Sequence, residues 1–199
     1  MAAQFTTISH SNRSLDEFIG MLREAEIGLL VDVRTFPRSR TTPAFNIDLL
    51  PNDLAAVQIG YRHCPALGGR RPKQGGVDSD LNALWRVQSF HNYADYALGE
   101  EFAGAFQKLL LLGQEKRLAL MCSEAVWWRC HRRIITDYLL LGPLNGTDES
   151  FIHHSGGFAM GNHVQLRQVS LGMDGTTSAR VGRSPRFSYF AMISNNWPQ

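Results

Sequence analysis

Gly28-Leu29-Leu30-Val31-Asp32-Val33 runs from a glycine through an unbroken apolar segment that a single carboxylate interrupts near its end. Continuous hydrophobicity over so short a length is the pattern of a strand buried on both faces, as in a parallel sheet. Upstream, Ser14 stands as an N-cap with Glu17 three residues on, a capping box. Leu15, Phe18, Ile19 and Leu22 recur at helical spacing, which predicts a helix from Ser14 to about Ala25. Before it, the β-rich Phe5-Thr6-Thr7-Ile8-Ser9 is broken by His10-Ser11-Asn12-Arg13. Downstream, the polar loop from Arg34 to Phe45 holds two prolines and three arginines. Asn46 is read as the cap of a second helix through Val57, with Pro51 working against its first half. Ile59 to Cys64 suits a third strand.

Pro65 to Ser89 carries Gly68-Gly69, Gly75-Gly76 and several charges without periodicity, the mark of a functional or disordered loop. Phe90 to Ala97 is read as a helical segment. Glu100 to Gly113 is a helix with Phe102, Phe106, Leu109 and Leu110 on its apolar face. Arg117 to Cys122 is a fourth apolar strand, and Cys130 to Leu141 a final helix with Ile134, Ile135, Tyr138 and Leu139 inward. Strands alternating with helices predict a single α/β domain with a mostly parallel, doubly wound, Rossmann-like sheet and helices on both faces. That domain spans residues 1–141. Residues 142–199 form a divergent tail rich in Gly, Ser, Asn and His, packed on the same domain or extending from it. An edge strand is expected near Phe151-Ile152 or Val164, and Phe187 to Ile193 is the clearest other apolar run.

A chain of 199 residues with 44% hydrophobic content is long enough and apolar enough for one real core. A net charge of +2 is too small to imply wholesale binding to nucleic acid or membrane, so anion recognition must come from local clusters of arginine. The three cysteines, Cys64, Cys122 and Cys130, are too few and too odd for a disulfide framework. The longest apolar runs, such as Leu109 to Leu112, fall far short of the ~20 residues of a spanning helix. No secretory leader is recognised. The expectation is a cytoplasmic protein without membrane partners, its cysteines free thiols or metal ligands.

In open α/β sheets ligands bind beyond the carboxyl ends of the strands, so three polar clusters should converge: His10-Ser11, Asp32 to Arg40, and Cys122 to Arg129. Cys122-Ser123-Glu124 closes a strand, and Arg129-Cys130-His131-Arg132-Arg133 opens a helix. A strand-end thiol facing a helix N-terminus is stabilised as thiolate, and Arg129, Arg132 and His131 would lower its pKa further. Cys122 is thus the candidate nucleophile, Cys130 a resolving thiol, and His131 or Glu124 the proton-transfer partner. Asp32 and His10 are second-tier acid–base candidates; Asp32 has the commoner fate of pairing with Arg34. Cys122 and Cys130 would otherwise be small buried hydrophobes. Cys122, Cys130 and His131 also have the ligand chemistry for a metal, although the spacing is not C-x2-C and no other cofactor is indicated. Ser11, Arg34, Arg38, Arg40, Arg70, Arg71, Arg129 and Arg132 are the candidate anion-binding groups, since guanidinium forks suit phosphate and carboxylate. Trp127-Trp128, Trp85, Phe36 and Tyr93 offer base-stacking faces.

These segments resemble the bacterial family known as domain of unknown function 488. The resemblance rests on Thr7-Ile8-Ser9-His10-Ser11, Ser14 to Phe18, Val31-Asp32-Val33-Arg34-Thr35-Phe36-Pro37-Arg38-Ser39, Leu67-Gly68-Gly69-Arg70-Arg71, Tyr93-Ala94-Asp95-Tyr96, and Ala119 to Glu124 followed by Arg129-Cys130-His131-Arg132. It covers roughly Thr7 to Leu141. Ser9 stands where the family usually has glycine, and beyond Leu141 almost nothing matches the family's closing strand and short tail. The resemblance implies an α/β fold and a shared cysteine site, without an established reaction. The Asp32–Arg34 strand end and the Cys122 loop are also loosely similar to rhodanese sulfur-transfer domains, an analogy only.

Three functions remain open on the residues alone. The first is a thiol-dependent enzyme acting on a small anionic, phosphate- or nucleotide-like substrate. The second is a non-catalytic module that binds a nucleotide or nucleic acid. The third is a Cys/His metal-binding protein. Oligomeric state is not legible.

Overall fold

The computed structural model describes residues 3–141 and 164–169. The order is β1 (Ala3–Ser9), α1 (Leu15–Glu24), β2 (Leu29–Asp32), α2 (Leu50–Ala56), β3 (Gly60–His63), α3 (Gln88–Tyr96), α4 (Glu100–Glu115), β4 (Leu118–Cys122), α5 (Arg132–Leu141) and β5 (Val164–Val169). The sheet order is β3-β2-β4-β1-β5. The first four strands of that order are mutually parallel, and β5 lies antiparallel on β1. This is the mostly parallel α/β sheet that the alternating pattern predicts. The strand near Val164 belongs to the chain after Leu141 and covers one edge of β1, while Phe151-Ile152 and Phe187 to Ile193 lie outside the described residues.

Helices occupy both faces because the inner strands are apolar on both sides. Every residue of β2 and of β4 is buried. On one face, Phe18 and Leu22 of α1 and Leu50 and Leu54 of α2 pack against Ile8, Leu30, Ala119 and Met121. On the other, Tyr93, Phe102, Phe106, Leu109 and Ile135 pack against Phe5, Val31, Leu118 and Leu120. Each such side chain contributes about 1.5–3 kcal/mol on burial. Gly113 lets α4 reach the sheet, since a Cβ there would lie 2.4 Å from the Phe5 ring.

Three local expectations are corrected. Asn46 does not cap the second helix; its Oδ1 accepts from the Ser39 N–H (2.6 Å), and α2 starts at Leu50. Pro51 sits in the first turn, where its missing N–H leaves no helical bond unmade. Cys130 does not open the final helix, which begins at Arg132 after a 3-10 turn over Trp127–Arg129.

Register decides what meets at the carboxyl ends. Ser9 pairs with Cys122, Asp32 with Met121, and Asp32 again with His63. The polar residues that end four strands therefore share one edge of the sheet. Among the described residues no helix is long and apolar enough to cross a membrane.

Candidate active site at the carboxyl edge of the sheet

Two buried guanidiniums organise this edge. Arg34 is gripped by Asp32: Nε donates to both carboxylate oxygens (2.9 and 3.1 Å), Nη2 to Oδ2 (2.6 Å), and the Arg34 backbone N–H to Oδ1 (3.0 Å). The Tyr61 hydroxyl donates to the same carboxylate at 2.7 Å, and Arg34 Nη2 also reaches the Phe45 carbonyl at 2.6 Å. His10 Nδ1–H donates to the Ser11 carbonyl, which leaves Nε2 to accept from Arg34 Nη1 at 3.3 Å. Burial first, and the Arg34 charge second, lower the His10 pKa to about 4, so the ring is neutral, and it stacks on Phe45 at 4.5 Å. The cluster is closed: Asp32 is fully buried and each of its oxygens is occupied.

Arg132 is as deeply buried, but its surroundings differ. Nη1 donates to the Ile8 carbonyl, Nη2 to the Glu124 carbonyl (2.6 Å), and Nε to Cys130 Sγ (3.5 Å). Among the described residues no carboxylate pairs with it. The nearest group able to carry a compensating negative charge is therefore the Cys130 sulfur.

Cys122 and Cys130 are both buried, and their sulfurs lie within 4.8 Å of each other, close enough for the two thiols to titrate as a pair. The hydrogen bond from Cys122, opposed by burial and aided by Arg132, brings Cys130 down to about 6. The same hydrogen bond, with burial, pushes Cys122 up. Within this pair the downward pull falls on Cys130, whereas the strand-end argument points to Cys122. The reason is position: the guanidinium and the Arg132 backbone N–H both bear on Cys130.

His131 completes the group. Its Nε2–H donates to the Val33 carbonyl (3.0 Å), so Nδ1 carries the lone pair and faces Cys130 Sγ at 3.4 Å. Burial, the largest influence, lowers its pKa. The space at Nδ1 is kept open by Gly69, where a Cβ would lie 2.3 Å from that nitrogen. Gly68 is held as tightly, with a Cβ position 2.7 Å from Thr35 Oγ1, and Arg70 N–H donates to the same oxygen at 3.1 Å. Gly68 therefore lets the Leu67–Arg71 segment press against the Arg34–Phe36 loop, and Gly69 lets it press against the His131 ring.

A cavity of about 270 Å³ opens onto Cys122, Cys130, His131 and Gly69. Of the predicted anion-binding arginines, Arg70 and Arg129 line it, are exposed, and have no carboxylate partner among the described residues. Arg34 also borders it, while Glu124 lies exposed at its mouth. The others are elsewhere or occupied. Arg38 pairs with Asp48 in solvent, Arg40 is exposed away from the cavity, and Arg71 spans the Gly68 and Pro65 carbonyls and the Tyr96 ring. Arg132 is spent on the carbonyls and sulfur just described. His10, Ser11 and Asp32 do not line the cavity. A larger cavity of about 500 Å³ between β3 and α4 touches His63 and Cys64, but it lacks any comparable cluster of ligating groups among the described residues.

Sequence reasoning missed Gly69, Val33 and Tyr61. The paired glycines were visible, but their contact with His131 joins positions 62 residues apart in the chain (131 less 69). The Val33 carbonyl, being backbone, carries no residue-type signal at all.

Comparison with curated proteins and with solved structures finds no match. One family model does match, over residues 14–139, a span that takes in the capping box, the Asp32–Arg34 strand end, the double glycine, Cys122 and Cys130. The chain belongs to the family described as domain of unknown function DUF488.

Proposed function

We propose that this protein is a thiol-dependent enzyme acting on a small anionic, phosphate- or nucleotide-like group, with Cys130 as nucleophile. The observation that carries it is the buried Arg132 guanidinium, which pairs with no carboxylate among the described residues and lies 3.5 Å from Cys130 Sγ. A buried cation without a counter-charge is strongly unfavourable, and ionising Cys130 supplies that charge. His131 Nδ1 is the nearest acceptor for the thiol proton. The thiolate forms a bond to the electrophilic atom of the substrate, and the leaving group departs with its electron pair and takes a proton from Nδ1. Water, deprotonated by the same nitrogen, then breaks the sulfur bond. Arg70 and Arg129 hold the anion at the mouth.

The test is alkylation of each cysteine against pH, read by peptide mass spectrometry on folded protein. A Cys130 midpoint near 6 with a slow Cys122 supports the proposal. A Cys130 midpoint at the ordinary ~8.5 rejects it.

A metal centre is the second reading, favoured by a different observation. Cys122 Sγ, Cys130 Sγ and a His131 ring nitrogen lie within 4.8 Å of one another, and the Val33 carbonyl orients His131 as second-shell acceptors orient metal-bound histidines. Three such ligands with a fourth position facing a cavity have the form of a catalytic zinc site. Stoichiometric metal after chelator-free purification would support it, and metal-free folded protein with a reactive Cys130 would exclude it. For the non-catalytic alternative, salt-sensitive retention on an oligonucleotide is the corresponding measurement.

A further inference from the structure

Five aromatic positions are chemically suited to stack on a planar ligand, and their environments separate them. Tyr93 is fully buried, its ring hemmed in by Tyr96, Phe102 and His131. Trp127 is buried. Trp85 is stacked on Phe90 at 5.4 Å and carries Arg133 at 4.9 Å from its ring centre. Trp128 is 43% exposed but does not line the cavity. Phe36 alone of the five both lines the thiol cavity and keeps 66% of its surface in solvent.

Phe36 is also held in place. Its neighbour Thr35 accepts from Arg70 N–H, and the Gly68 backbone is packed against Thr35. The Arg70 guanidinium stands 5.4 Å from the Phe36 ring centre, so one loop supplies the ring and the other supplies a cation over it. The cavity, at about 270 Å³, lies below the roughly 300–1,000 Å³ of ordinary small-molecule pockets. It admits a reacting group and leaves the rest of a ligand to lie across the rim. The rim there is a cation-bearing aromatic face, and Arg129, which has no carboxylate partner among the described residues, lines the same cavity.

We infer that Phe36, backed by Arg70, is the platform on which a nucleobase stacks, so that the substrate class is a nucleoside phosphate whose phosphate enters the thiol cavity. This rests on the thiol reading for what happens to the phosphate end, but the stacking itself does not depend on it. A planar ring over Phe36 gains the stacking that nucleobases gain on exposed aromatics, and the adjacent guanidinium adds cation–π attraction. Arg70 and Arg129 supply charge for the phosphate.

The probes are AMP and ribose 5-phosphate, which share the phosphate and sugar and differ in the base. Binding to the full chain is measured by isothermal titration calorimetry, beside the Cys130 alkylation profile. AMP is expected to bind about 5- to 150-fold more tightly than ribose 5-phosphate. Phe36→Ala should remove that advantage while leaving ribose 5-phosphate affinity unchanged, and Phe36→Trp should keep it. Equal affinities in the wild-type protein, or equal loss of both probes in Phe36→Ala, overturn the inference; so does binding of neither. If the base advantage holds while Cys130 titrates as an ordinary thiol, the platform stands and the thiol reading falls. If Cys130 is activated and no base advantage exists, the platform falls alone.

Discussion

Arg34 and Arg132 are both nearly inaccessible, both at the carboxyl edge of the sheet, and both bonded to backbone carbonyls. Arg34 has a carboxylate two residues away that takes three side-chain hydrogen bonds; Arg132 has a sulfur. The first arrangement is complete in itself and locks β2, β3 and the Phe45 turn together. On the proposed reading the second is complete only when a thiol gives up its proton, so the residue type that fixes structure at one strand end would create reactivity at another. The difference lies in the partner, and the partner is what substitution can change.

The sharpest way to break the comparison is to take the carboxylate from the closed cluster. Asp32→Ala leaves Arg34 charged, buried and unpaired, and orphans the Tyr61 hydroxyl. It should lower stability by about 3–5 kcal/mol in denaturant unfolding. An effect under about 1 kcal/mol would mean that Arg34 escapes to water and that the two clusters are not alike.

The reverse experiment removes the cation from the open cluster. Arg132→Met should raise the Cys130 alkylation midpoint from about 6 toward ~8.5, which lowers the thiolate fraction at pH 7 by about 30-fold. Arg132→Lys should retain part of the activation. Unchanged reactivity in Arg132→Met would transfer the activation to His131 or Cys122.

Gly69→Ala tests the third side of the open cluster. Its Cβ falls 2.3 Å from His131 Nδ1, and overpacking of this kind costs about 1–3 kcal/mol. The histidine or the loop must shift, so thiol reactivity should fall although no titrating group is removed. A variant with wild-type stability and reactivity would show that the double glycine serves some other purpose.

The pH dependence of stability has opposite signs for the two thiols. Cys130, with its pKa depressed to about 6 in the fold, contributes stability that is fully present above the unfolded thiol value and is lost as pH falls through 6. Cys122, raised in the fold, contributes stability that is present below the unfolded value and lost at higher pH. Unfolding midpoints should therefore climb from pH 6 toward 9, and Cys130→Ser should flatten that climb. His10 gives a separate limb: its value of about 4 makes stability fall as pH drops from the unfolded ~6.5 toward 4.

The smallest effect is expected at Arg38, paired with Asp48 at 3.1 Å with both side chains exposed. Arg38→Ala should alter stability by no more than about 1 kcal/mol and leave cysteine reactivity unchanged. A change in ligand affinity would return Arg38 to the anion-binding set.

Much of the fold was legible in the chain. The unbroken Leu29–Val33 run, the Ser14–Glu17 box and the stripe through Phe102, Phe106 and Leu109 are local patterns, set by how strands and helices bury apolar side chains. Ser14 Oγ does accept from the Glu17 N–H, at 3.2 Å. The prediction failed at Asn46 and Cys130, where capping propensity competed with a loop contact and with a 3-10 turn. Of the strand-end clusters that topology brings to this edge, only Arg34 to Phe36 and the Cys122–His131 segment share the cavity, and His10, Ser11 and Asp32 stay outside it.

By itself the sequence determined an alternating α/β chain with its reactive residue types gathered at strand ends, because periodicity and caps are interactions between near neighbours. Which thiol the Arg132 guanidinium contacts, which arginines line the cavity, and why residue 69 is glycine were decided by the tertiary structure. Those answers depend on burial and on partners brought from distant segments: Ile8 and Glu124 carbonyls on Arg132, Val33 on His131, Asp32 on Arg34. A charge takes its energy from everything around it, and only the folded chain fixes what that is.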